Sequence, residues 1–267
     1  MNEPKRASQT TRPVRRYPGG EHVQDPVVIE EPLEMRIEGR PLAVTLRTPG
    51  NDLELTAGFL RSEGVIDGKD DLVALRHIDD PSDVRHNTVD CVLAGGVAAH
   101  RTAIERATRE LYATSSCGVC GKASIDRLQV LAGPLSHRPE PSADVLLSLP
   151  DRLRQAQPTF ASTGGLHGAA LFSFDGELEV SREDIGRHNA VDKVLGWRLL
   201  QDRPIVDDRI LVVSSRAGFE IVQKALMARV PAVAAVGAAS SLAIDLAQEM
   251  GIALFGFLRD GRYNRYS

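Results

Sequence analysis

The sequence predicts an α/β protein, with a C-terminal half built as a helix-covered, mostly parallel sheet and a smaller N-terminal α+β unit that carries a cysteine loop. Two patterns support this. From Ala169 onward, apolar runs (Ala169 to Phe174, Ile210 to Val213, Ala232 to Val236, Ile252 to Phe257) alternate with helical stretches of about a dozen residues, the rhythm of strands joined by right-handed crossovers. Earlier in the chain, Leu33, Met35 and Ile37, then Leu42, Val44 and Leu46, alternate with other residues around Gly39-Arg40-Pro41, as in a half-buried hairpin. The 267 residues suit one large domain or two modest ones.

Residues 1–22 are polar and basic (Lys5, Arg6, Arg12, Arg15, Arg16), lack apolar periodicity and are expected to form a disordered arm. After the hairpin, Pro49-Gly50-Asn51-Asp52 supplies a turn and a cap. Leu53, Thr56, Ala57 and Leu60 then share a helical face that Gly64 closes. Val73 to Ile78 and Val89 to Leu93 read as strands, whereas the mixed pattern of Arg106 to Ala113 assigns to no element. A short helix is expected from about Ala123 to Leu131.

A Pro/Ser/His-rich linker, 134–142, separates the N-terminal unit, 23–133, from the C-terminal unit, 143–267. Asp144 to Leu149 and Pro150 to Gln157 read as two short helices, the second opening on a proline in its first turn. Asp175-Gly176 turns the strand at Ala169 to Phe174 into one at Leu178 to Val180. Arg187 to Leu200 places Val191, Val194, Leu195 and Leu199 on one helical face, and further helices are expected at Phe219 to Arg229 and Leu242 to Met250.

Charge and composition exclude several functions. Lys+Arg 32 against Asp+Glu 36 gives a net charge of −4, so no global basic field draws the chain to nucleic acid. No apolar run reaches the roughly 18 to 20 residues of a membrane helix, and the N-terminus lacks an apolar signal core; a cytoplasmic, non-membrane protein is expected. Three cysteines, two of them close together, point to a reducing compartment.

That close pair lies in Ser115-Ser116-Cys117-Gly118-Val119-Cys120-Gly121-Lys122. A thiolate is the reactive form, and its pKa falls beside backbone amides, a cation or a second sulfur, all of which this segment offers. Four chemistries use such a pair. A structural zinc site needs four N or S ligands, but no second Cys-x-x-Cys exists, Cys91 falls in an apolar strand pattern and the histidines are scattered. Thioredoxin-like redox chemistry places the pair between a strand and a long helix, and no clear junction of that kind adjoins it. An inert pair is at odds with glycine and serine flanks, which expose thiols. The reading these observations favour is a nucleophilic cysteine that carries a group while the second thiol assists or resolves. Zinc deamination pairs His-x-Glu with Pro-Cys-x-x-Cys; here Ser116 precedes Cys117 and no histidine has a glutamate two residues on, so no metal site is predicted.

Four other segments have the composition of anion or nucleotide sites, and each also has an ordinary structural reading. In Thr163-Gly164-Gly165-Leu166-His167-Gly168, paired glycines let backbone N–H groups approach a ligand, or form a tight turn around a hydrogen-bonded His167. Arg187 opens a helix in the polar run Arg182 to Lys193, where phosphate binding and plain capping are both open. Ser214, Ser215 and Arg216 follow an apolar strand, at the sheet edge where open α/β folds hold ligands, although the turn is not a P-loop. Gly256-Phe257-Leu258-Arg259-Asp260-Gly261-Arg262 lies just past the last strand and offers planar guanidinium donors, or forms a solvated hairpin.

Together, Thr114 to Lys122, Thr163 to His167, Glu183 to Lys193 and Ser214 to Phe219, in this order and spacing, resemble the FdhD family of formate dehydrogenase accessory proteins. The resemblance extends from about Val27 to Tyr266. It implies a sulfurtransferase that accepts persulfide sulfur from a cysteine desulfurase and passes it to the molybdenum or tungsten bis(molybdopterin guanine dinucleotide) cofactor of formate dehydrogenase, the cofactor being bound cargo. Cys117 would carry the persulfide and Cys120 would help through a transient disulfide. The resemblance also implies a three-layer, cytidine-deaminase-like C-terminal domain, a homodimer, and contact with the guanine-nucleotide parts of the cofactor near Gly256 to Arg262. A non-catalytic cofactor-binding chaperone is the alternative.

Overall fold

The computed structural model describes residues 6–78, 86–114, 128–135, 140–201 and 208–267. A six-stranded sheet organises the C-terminal half. It comprises β7 (His167–Ser173), β8 (Leu178–Asp184), β9 (Arg209–Val213), β10 (Ala232–Ala235), β11 (Ala253–Arg259) and β12 (Arg262–Arg265), in the order β12-β11-β10-β9-β7-β8. Only β9, β10 and β11 run parallel; β7 is antiparallel to both β8 and β9, and β12 to β11. The sheet is therefore mixed, where a mostly parallel one was expected. Hairpin turns at each end of the sequence run need no helical crossover, so those strands return antiparallel.

Side-chain alternation along the strands feeds two apolar layers. Leu171, Leu211, Val233 and Leu254 face α6 (Arg187–Leu200), α7 (Phe219–Met227) and α8 (Ser241–Met250). Phe172, Ile210, Val212 and Phe255 face Leu146, Leu149 and Leu153 of α4 (Ala143–Gln155). Each such buried Leu or Phe stabilises the fold by about 1.5–3 kcal/mol relative to exposure.

The helix α4 corrects the expectation of two short helices, because Pro150 lies inside it. Proline removes one backbone donor and crowds the preceding turn; here the three leucines on the buried side hold the helix together across it. A second short helix, α5 (Pro158–Thr163), begins at the next proline, at the permitted first position.

The N-terminal half holds a four-stranded sheet in the order β4-β3-β6-β5, from β3 (Glu31–Ile37), β4 (Arg40–Arg47), β5 (Leu72–His77) and β6 (Thr88–Leu93). Helix α1 (Asp52–Ser62) buries Leu53, Leu55 and Leu60 in the same core as Leu33, Met35 and Val89. After α2 (Gly96–Ala99), the segment that matched no pattern is helical as α3 (Arg101–Thr114). Leu128, Leu131, Ala132 and Leu135 pack against the C-terminal core.

The arm expected to be disordered is instead a hairpin: β1 (Gln9–Arg16) pairs antiparallel with β2 (Glu21–Val28), closing through Tyr17 to Gly20. The Ser8 hydroxyl bonds Thr159 and Ser162 donates to Gln9, fastening the ribbon to α5. Its Arg12, Arg15 and Arg16 are exposed, so no apolar alternation marks it.

The two halves meet where α1 crosses α6. A Cβ at Gly58 would lie 1.9 Å from the Asp192 carbonyl oxygen, and one at Gly196 would lie 1.8 Å from that of Glu54. Only glycine permits that backbone approach. Buried ion pairs surround the crossing. Lys193 Nζ lies 2.8 Å from both Asp184 Oδ2 and the Thr48 carbonyl, Asp192 accepts from Lys224 Nζ at 2.8 Å and from the Ser62 hydroxyl at 2.8 Å, and Arg182 makes a two-pronged pair with Glu54. Burial alone would lower the Lys224 pKa, but the carboxylates of Asp192 and Glu63 outweigh it and the ammonium is held above its ordinary value.

Candidate functional site

The carboxyl ends of β9 and β10 and the start of antiparallel β7 lie along one edge of the large sheet. A cavity of about 500 Å³ opens there, beneath the end of α4 and the start of the α5 turn. Its lining includes Arg154, Gln157, Phe160, His167 and Ser214. The volume falls in the range of roughly 300–1,000 Å³ typical of small-ligand clefts.

Local sequence sets each of these groups. Glu183 accepts the backbone N–H groups of Thr159 and Phe160 at 3.0 and 2.7 Å, which anchors the first turn of α5 and fixes Phe160. The guanidinium of Arg154 stacks on the Phe160 ring, 4.0 Å from its centroid. Gly164 ends α5 in the left-handed conformation and releases the chain into β7. Ser214, just past β9, accepts the Gly168 N–H through its hydroxyl and donates its own N–H to the Gly168 carbonyl, each at 2.9 Å. His167 is half-buried; burial first, then the positive charges of Arg187 and His188, hold its imidazole below the ordinary value, against the pull of Asp184.

The structure separates the residues that the sequence singled out. His167 and Ser214 line the cavity. Arg187 opens α6 beside them and makes no hydrogen bond or ion pair with the described residues. Most of the surrounding polar run serves the fold instead. Asp184 and Lys193 pair with each other and with Thr48, Asn189 donates to the Leu46 carbonyl at 2.8 Å, and His188 pairs with Glu220, which holds the Glu220 carboxyl below its usual range.

Ser215 is buried and Arg216 exposed, and both pack against Gly237 beyond β10: Gly237 donates to the Ser215 carbonyl at 3.0 Å. The same Gly237 accepts the Phe257 N–H at 2.9 Å, so Gly256 and Phe257 join that turn along the edge. Phe257 takes φ of 56°, a left-handed kink that shifts the register between β11 and β12. The segment Gly256 to Arg262 is thus not a loop past the last strand. It is the end of β11, a turn at Asp260-Gly261 and the first residue of β12. The side chain of Leu258 is fully buried in the apolar layer facing α4 and is not available to a ligand. Arg259 lies over the Phe257 ring at 5.6 Å, while Asp260, Gly261 and Arg262 form the exposed hairpin tip.

Cys117 and Cys120 lie outside the described residues. The third cysteine, Cys91, is fully buried in β6; desolvation, with the charges of Asp90 and Glu38, pushes its thiol up to about 12. Among the described residues no cluster of three or more His, Cys, Asp or Glu side chains is placed to hold a metal, and no helix is long and apolar enough to cross a membrane.

Sequence reasoning did not find Arg154, Gln157 or Phe160. They sit on a helix end and a turn with no motif, and only the fold brings them to His167 and Ser214.

A profile of the FdhD/NarQ family matches residues 28–267. A protein from Nocardia farcinica named sulfur carrier protein FdhD is 46% identical over 268 residues, covering 98% of this chain and 94% of its own. One of the same name from Streptomyces coelicolor is 50% identical over 251 residues, covering 91% and 87%. Among solved structures, a proposed formate dehydrogenase accessory protein from Desulfotalea psychrophila shares the fold with a TM-score of 0.71 at 22% identity, over 97% of this chain and 96% of that one.

Proposed function

The chain belongs to the FdhD/NarQ family, and from that premise we propose that it is a sulfurtransferase serving formate dehydrogenase. It takes sulfur from a cysteine desulfurase onto Cys117 and delivers it to the molybdenum or tungsten bis(molybdopterin guanine dinucleotide) cofactor, its bound substrate. The observation that carries this reading is the near full-length identity to proteins named sulfur carrier protein FdhD. Four motifs spread over the chain support it together with the ligand-sized cavity at the sheet edge.

The thiol chemistry balances. The Cys117 thiolate attacks the outer sulfur of the desulfurase persulfide, the S–S bond breaks, and the desulfurase thiolate leaves, with no net oxidation. Delivery as sulfide needs two electrons. The Cys120 thiolate supplies them by attacking Cys117 Sγ, so that hydrosulfide leaves toward the metal and a Cys117–Cys120 disulfide forms. A thiol reductant then restores the pair. Glycine and serine flanks suit a cysteine that must reach both a donor protein and a metal.

In this reading the cofactor lies along the carboxyl edge, with His167, Arg187, Ser214, Ser215 and Arg216 toward one end and Gly256, Phe257, Arg259, Asp260, Gly261 and Arg262 toward the other. Residues 23–133 form the thiol-bearing unit and residues 143–267 the cofactor-holding unit. Helices on both faces of the large sheet support a three-layer, cytidine-deaminase-like layout for the latter. The protein acts in the cytoplasm as a homodimer. Complementation tests the proposal. In a strain lacking this function, Cys117→Ala is expected to abolish formate dehydrogenase activity. Full activity with Cys117→Ala would favour the cofactor-binding chaperone.

A further inference from the structure

The cavity at the sheet edge holds a polar group that the protein leaves unsatisfied. Gln157 is only 3% exposed, and its Nε2 is buried with no hydrogen-bond partner. Buried amides without partners are rare in folded proteins and call for one. The amide rests against Gly168, where a Cβ would fall 2.5 Å from Gln157 Cδ and Nε2; bare backbone is what admits it. Gly168 is itself held by its two hydrogen bonds to Ser214, so the amide sits against a fixed wall. The Arg154–Phe160 stack lines the same cavity and offers a ring or guanidinium face to a flat ligand.

An amide presents a donor beside an acceptor. Its complement is a ring carbonyl next to a ring N–H, the lactam edge that guanine and pterin share. Adenine has an amino group in place of that carbonyl oxygen, which sets donor against donor at Nε2.

We infer that Gln157 is the specificity-determining residue of this cavity, donating from Nε2 to the ring carbonyl of a guanine or pterin stacked beside Phe160. The inference rests on the proposed cofactor-binding role and names the part of the cargo that the cavity reads.

Calorimetric titration of the full-length protein with GDP, IDP, ADP and 6-hydroxymethylpterin tests it. IDP keeps the lactam edge and lacks only the 2-amino group. GDP and IDP are expected to bind alike and ADP about tenfold or more weakly, with Gln157→Met losing about 10- to 100-fold for lactam ligands and little for ADP, as expected for two lost hydrogen bonds. A loss confined to the pterin assigns the cavity to that end of the cofactor, and a loss confined to the nucleotides assigns it to guanine. Met has a similar unbranched shape and leaves no buried donor unpaired, so the ligand-free melting temperature of Gln157→Met should not fall. Wild-type protein that binds ADP as tightly as GDP, or a Gln157→Met variant that keeps the discrimination, overturns the inference. Sulfur uptake measured on the same preparations separates the two claims. Normal loading of Cys117 without base discrimination sinks only the role of Gln157, whereas base discrimination without loading sinks the sulfur-carrier proposal.

Discussion

Adding one methyl group at Gly196 tests the junction between the two halves. A Cβ there would stand 1.8 Å from the Glu54 carbonyl oxygen and 2.6 Å from the Gly58 nitrogen, both backbone atoms in the middle of α1 that no rotamer change can move. Relief requires α1 and α6 to part by roughly 1 Å, and gaps of 0.5–1 Å already forfeit a quarter to a half of each dispersion contact along the seam. The same displacement loosens the buried Ser62–Asp192–Lys224 cluster and the Lys193 contact with Thr48. Overpacking costs about 1–3 kcal/mol where neighbours can yield. Two backbone walls put Gly196→Ala at the top of that range or above it, a fall in Tm of about 6–12 °C at about 2–4 °C per kcal/mol. Gly68→Ala is the control, because nothing lies within 4 Å of its added Cβ; it should stay within about 0.5 kcal/mol of wild type. Differential scanning calorimetry of the two variants decides the matter. A Gly196→Ala protein that melts with the wild type would refute direct backbone contact between these helices.

Two further expectations concern titrating groups. Because His167 is held below its ordinary pKa, the unfolded chain binds the proton more readily than the native state. Its contribution is therefore fully present above the unfolded value near pH 6.5 and declines as pH falls toward the lower native value, and this part of the pH dependence should vanish in His167→Gln; an NMR titration midpoint at or above 6.5 contradicts the reading. Cys91, buried and with its thiol pushed up to about 12, should resist iodoacetamide in the native protein and react only after unfolding, so native labelling of Cys91 at neutral pH, read by peptide mass mapping, would contradict its burial.

The elements most legible in the sequence were those with one buried face. Leu53, Leu55 and Leu60 of α1 enter a common core, and so do the alternating residues of β3, and the periods of both are plain in the chain. The β1–β2 ribbon escaped because a two-stranded hairpin whose outer positions are Arg12, Arg15 and Arg16 has no such face. Pro150 concealed the length of α4, yet Leu146, Leu149 and Leu153 keep helical spacing straight through it, a signal that outweighs the proline once burial is known. His167 and Ser214 were found because glycines and strand ends mark ligand edges. Leu258 was misjudged because strand β11 continues through it and points it into the core. Gln157 carries no local signature at all; its meaning depends on an unpaired amide in a cavity assembled from three separate segments.

Incubating the protein with a cysteine desulfurase and cysteine, then measuring the intact mass and mapping the modified peptide, tests the central claim most directly. The account predicts one added sulfur on Cys117, absent from Cys117→Ala and still formed on Cys120→Ala, whose defect should appear at delivery instead. Wild-type uptake and delivery of sulfur by Cys117→Ala would contradict it.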